Sequence, residues 1–112
     1  MITALRIRVV GKVQGVWFRK FVKDSAETID GITGWVRNEP NGSVRIEAAG
    51  EKKKLQKLVT ACHQGPELSR IDSVETEEIA PQEWEGFVIQ GKRFLKNLKW
   101  EKAKKFLSGE AK

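Results

Sequence analysis

A chain of 112 residues, 39% of them hydrophobic, fits a single domain and can bury a core without disulfide or metal staples. No apolar run approaches membrane-spanning length, and no signal-peptide core is expected at the start. The one cysteine, Cys62, excludes an internal disulfide and suits a reducing, cytoplasmic setting. Cys62 and His63 are the only soft ligands, too few for a structural zinc site. The net charge of +6 sits at one end. Residues 92–112 hold eight Lys or Arg and two Glu, whereas residues 1–91 hold thirteen of each sign. The expected division is a neutral domain over 1–91 and a basic, helical extension over 92–112.

In Leu5-Arg6-Ile7-Arg8-Val9-Val10 apolar and basic residues alternate, the signature of a half-buried strand. A loop with two glycines follows, and from Phe18 the spacing turns helical, with Phe18, Val22, Ser25, Ala26 and Ile29 on one stripe. Gly31 stands where a helix-terminating glycine belongs. Ile32 to Asn38 predicts a second strand with Ile32, Gly34 and Val36 on one face, and Pro40-Asn41-Gly42 supplies hairpin chemistry. The returning strand, Ser43 to Ala49, turns Val44, Ile46 and Ala48 inward. Leu55, Leu58, Val59 and Cys62 mark a second helix, with Lys52, Lys53, Lys54 and Lys57 on its wet side, and Gly65-Pro66 stops it. Ile71 to Ile79 predicts a fourth strand whose alternation breaks between Ile71 and Val74, as at a bulge. Phe87-Val88-Ile89 makes a short last strand. The order β-α-β-β-α-β is that of an α+β, ferredoxin-like split βαβ sandwich: an antiparallel sheet with both helices on one face. Arg6, Arg8, Arg45 and Glu47 then face water on the other, and the second strand is expected near the first.

The segment with most chemistry is Gly11-Lys12-Val13-Gln14-Gly15-Val16-Trp17-Phe18-Arg19. A strand runs through a glycine loop into a helix start, whose amides lack internal partners and lie at the positive end of the helix dipole. Such a loop suits an anion, and Arg19 adds a planar, permanently charged fork. Its spacing matches neither a P-loop nor a dinucleotide fingerprint. On these residues alone a glycine turn with a solvated arginine is an equally good reading. Asn38, with one acceptor and two donors, suits the holding of a water, or simply the start of a hairpin.

Val10-Gly11-Lys12-Val13-Gln14-Gly15-Val16-Trp17-Phe18-Arg19 and Gly34-Trp35-Val36-Arg37-Asn38, followed by Asn41-Gly42-Ser43-Val44, closely resemble the two signatures of acylphosphatases. Gly65-Pro66 and Phe87-Val88-Ile89 are similar to that family's pattern too, and the resemblance covers residues 4 to 90. It implies hydrolysis of acyl phosphates to carboxylate and inorganic phosphate, without metal or cofactor, phosphate being both product and inhibitor. By motif position it implies that Arg19 and the main-chain amides of Gly15, Val16, Trp17, Phe18 and Arg19 bind the phosphate, and that Asn38 orients the attacking water. No further side chain matches a general base.

Other groups have plainer readings. Cys62 and His63 are neighbours on a helix and point apart, so Cys62 reads as core filler. Glu75, Glu77 and Glu78 read as a solvated strand edge. Trp17 reads as a wall of the site, and Trp35 as a partly exposed packing residue. The extension 92–112 reads as a helix packed on the domain or on a second copy. The sharper alternative is a basic amphipathic helix on an anionic membrane or a nucleic acid. RNA binding on the sheet face needs aromatics on the central strands, and Leu5–Val10 and Ser43–Ala49 contain none. A non-catalytic binding module of the same fold is the remaining alternative.

Overall fold

The computed structural model describes residues 1–91; the extension 92–112, with the packing, membrane, nucleic-acid and self-association readings attached to it, lies outside the described residues. In chain order the elements are β1 (Ile2–Lys12), α1 (Phe18–Ile29), β2 (Thr33–Asn38), β3 (Val44–Glu51), α2 (Lys52–Gln64), β4 (Arg70–Ile79) and β5 (Phe87–Gln90). The sheet runs β4-β1-β3-β2-β5. Four strands pair antiparallel, as the sequence predicts, but β5 pairs with β2 in parallel, so the sheet is mixed rather than purely antiparallel. The connection explains this. β4 runs parallel to β3, because both are antiparallel to β1. Residues 80–86 cross one end of the sheet to its far edge, about 19 Å at ~4.8 Å per strand spacing. A link that short turns straight back, so β5 opposes β4 and β3 and matches β2. One expectation needs correcting: β2 does not lie beside β1, because β3 is inserted between them and pairs with both.

The core forms where the apolar stripes predict it. Ile7 and Val9 of β1, Val36 of β2, and Val44, Ile46 and Ala48 of β3 meet Phe18, Val22 and Ala26 of α1 and Leu55, Leu58, Val59 and Cys62 of α2. Each large side chain buried there contributes roughly 1.5–3 kcal/mol of transfer free energy. Burial pushes the Cys62 thiol up to about 12, so it stays neutral and unreactive, as expected of core filler. The predicted bulge is present: Val10 faces Ser73 and Gly11 faces Ile71, leaving Asp72 extra on β4. Asp72 answers Arg70 through two hydrogen bonds of 3.0 and 3.2 Å.

Gly34 fixes β2 in place. Its φ of 145° belongs to glycine, and a Cβ there would strike the Glu47 carbonyl oxygen and come within 2.8 Å of Ala48 Cα. Its amide donates to Gly86 O at 2.9 Å, starting the parallel pairing with β5. Gly34→Ala is therefore expected to destabilise the fold by at least about 2 kcal/mol, read as a lower urea midpoint at an unchanged m-value.

The open face of the sheet is less watery than its charges suggest. Glu47 is only 6% exposed. It accepts from Arg6 Nε at 3.0 Å and from Arg45 Nη2 at 2.8 Å, while Arg6 and Arg8 reach Glu77 and Glu75 at 3.0 and 3.1 Å. Trp35 lies under Arg37 and Arg45, whose guanidinium carbons stand 4.9 and 5.7 Å from its ring centroid. Glu75 and Glu77 therefore do more than line an edge: they offset the arginines of the neighbouring strand. Burial alone would raise the Glu47 pKa, but the hydrogen bonds from Arg45 and Arg6 outweigh it and hold the carboxyl below its ordinary value. A depressed folded value means stability that is full above the ordinary value of 4.5 and is lost as pH falls through the folded one. Glu47→Gln is expected to lower stability at neutral pH by roughly 1–3 kcal/mol and to flatten the acid limb, as urea midpoints measured across pH would show.

Candidate active site

The loop after β1 is pinned from below and open above. Val13 and Val16 drop into the core at 1% and 5% exposure, a spacing of three that leaves the backbone between them at the surface. Gly15 turns there at φ 74°, in the left-handed region glycine favours. Trp17 follows as the N-cap of α1 at φ 67°, ψ 20°, and no side chain caps this helix start. Among the described residues no backbone carbonyl outside helix and sheet pairing accepts from the amides of Gly15, Val16 or Trp17. The loop thus presents unpaired donors at the positive end of a helix, which favours an anion.

Arg19 stands in the first turn of α1. Its Nη1 donates to Gln90 O at 3.2 Å, at the end of β5. That contact fixes the fork while leaving the other guanidinium N–H groups for a ligand. Asn38 ends β2 beside the hairpin, and its side-chain Oδ1 is buried without a partner. A buried acceptor left unpaired carries a desolvation cost, and a water between Asn38 and a ligand would remove it.

The two side chains meet at a junction. A cavity of about 450 Å³ is lined by Gly15, Trp17, Phe18, Arg19, Asn38 and Ile89 among others, and a second of about 340 Å³ by Gln14, Arg37, Glu39 and Gln90. Arg19 and Asn38 line both. Although two strands away from the loop, Asn38 still reaches its mouth, so the expected convergence holds by a different route. A family model, "Acylphosphatase", matches residues 5–89.

The chain belongs to the acylphosphatase family.

A curated acylphosphatase of Salinibacter ruber is 44% identical over 84 residues, which is 74% of this chain and 87% of that one. The solved acylphosphatase of Bacillus subtilis superposes with a TM-score of 0.75 at 36% identity, over 80% of this chain and 99% of that one. That of Coxiella burnetii gives 0.76 at 35%, over 80% and 93%. The activity of the protein is accordingly acylphosphatase, a hydrolase of acyl phosphates. Among the described residues no three His, Cys, Asp or Glu side chains gather as a metal centre would need, and no helix is long and apolar enough to cross a membrane.

Two residues that line the second cavity were not singled out by sequence. Gln14 Nε2 donates to Glu39 O at 2.8 Å and to Ser43 O at 2.9 Å, tying the anion loop to the hairpin that carries Asn38. Gln90 holds Arg19 through its carbonyl. Gln14 lies inside the recognised motif, so its presence was visible although its partners were not. A main-chain acceptor such as that of Gln90 leaves no trace in a sequence.

Proposed function

We propose that the phosphoryl group of an acyl phosphate is held by Arg19 together with the main-chain amides of Gly15, Val16, Trp17, Phe18 and Arg19, and that Asn38 holds the attacking water. The observation that carries this reading is the shared lining of the two cavities: the anchored cation and the unpartnered buried Oδ1 border the same space. The water oxygen forms the new bond to phosphorus, and the bridging P–O bond breaks. Its electron pair leaves on the carboxylate, and the water's proton passes to a phosphoryl oxygen. A carboxylate is a good leaving group, so the protein need not protonate it. Its work is to place the water in line and to stabilise charge on the equatorial oxygens, with donors fixed before the reaction. No metal or cofactor enters this scheme. Inorganic phosphate, carrying the same oxygens as the substrate, is then both product and competitive inhibitor.

The buried, neutral Cys62 and the absence of any disulfide support a cytoplasmic setting. The reading is tested by following hydrolysis of benzoyl phosphate in excess chelator. Undiminished turnover that inorganic phosphate inhibits competitively is expected. A well-folded protein without turnover, or one that the chelator silences, overturns it.

A further inference from the structure

Trp17 carries two unfavourable features. Its backbone sits in the left-handed region at φ 67°, ψ 20°, which a bulky residue adopts only under strain. The residue is 74% exposed, so packing of the indole against the described residues offsets little of that strain. Trp17 lines the cavity of about 450 Å³. Ile89 of β5, 38% exposed, lines the same cavity from a different element, and Val13 and Phe18 add apolar surface. Lys20 also lines it, but its ammonium is occupied by Asp24 at 2.9 Å. The adjoining cavity is different in kind: Gln14, Arg37 and Glu39 make it polar. A phosphoryl group held at the Arg19–Asn38 junction therefore opens onto one apolar compartment and one polar one. An aromatic and an aliphatic side chain, both exposed and both lining the compartment that adjoins the phosphate site, offer apolar contact to a group held there.

We propose that Trp17 and Ile89 form the acyl subsite of this enzyme, and that it selects acyl phosphates with an aromatic or bulky apolar acyl group over small ones. The proposal rests on the phosphate and water sites assigned above and adds the identity of the group attached to the phosphate. An aromatic acyl ring stacks on the indole face and removes the Ile89 side chain from water, whereas an acetyl group reaches neither. Contacts of this size discriminate by roughly tenfold or more.

The test is the ratio of kcat/KM for benzoyl phosphate to that for acetyl phosphate, in wild type, Trp17→Gly, Trp17→Phe and Ile89→Thr. Glycine accepts the left-handed backbone, so the first variant removes the indole without adding strain. Wild type is expected to favour benzoyl phosphate by about tenfold or more. Trp17→Gly brings the ratio close to one, Trp17→Phe retains most of it, and Ile89→Thr lowers it in part. A wild-type ratio near one overturns the proposal. So does a ratio that stays at its wild-type value in Trp17→Gly while both rates fall together, since the indole would then serve only to hold the loop. Absence of turnover on either substrate by the wild-type protein instead overturns the assignment of the phosphate and water sites, so the two failures are distinguishable.

Discussion

Arg19→Ala is expected to lower kcat/KM for an acyl phosphate by about a thousandfold or more, with inhibition by inorganic phosphate weakened in parallel. The guanidinium supplies charge and directional donors together, and its Nη1 is already fixed on Gln90 O at 3.2 Å. Little of its conformational freedom remains to be lost when substrate arrives. Arg19→Lys keeps the charge but not the two-pronged geometry, so it should recover only a small part of the loss. Steady-state kinetics with a phosphate inhibition series decide the matter. A variant that loses turnover while binding phosphate as wild type does would show that the cation acts elsewhere.

Asn38→Ala should have a different signature. Its Oδ1 is buried and has no hydrogen-bond partner, so removing it breaks no hydrogen bond of that atom among the described residues and spares the donors of the loop. Turnover is expected to fall by about a hundredfold or more, while the inhibition constant of phosphate changes little. Asn38→Asp is informative beside it, because it keeps an acceptor of the same size and introduces a charge that repels the phosphoryl oxygens. If phosphate inhibition collapses along with kcat in Asn38→Ala, the residue holds phosphate rather than water.

The local features of the protein were legible in the sequence. The stripes of α1 and α2, the inward faces of β2 and β3, and the bulge opposite Gly11 all appear where period and punctuation put them. The two signatures likewise brought Arg19 and Asn38 forward as a pair. What periodicity did not carry is neighbour order. Nothing within Phe87-Val88-Ile89 says that it pairs in parallel with β2, and nothing in Leu5–Val10 says that β3 rather than β2 lies beside it. Both follow from how connections cross the sheet, a property of the whole chain. The same holds for Glu47. It alternates as an outward residue should, yet lies buried because arginines on β1 and on its own strand close over it. Long-range contacts of this kind decide the electrostatics of the open face, and a single strand does not contain them.

β5 has only four residues and, among the described residues, hydrogen-bonds to β2 alone, with Phe87 seated in the core. Short edge elements open at low free energy, without the rest of the globule following. When β5 peels away, Gln90 O goes with it and Arg19 loses the acceptor that aims it. The cation assigned to the phosphate is thus tethered to the last residue of an edge strand. Under warming or mild denaturant, fraying at this edge is expected to lower activity before the core unfolds, so activity loss should run ahead of the loss of structure followed by far-UV circular dichroism.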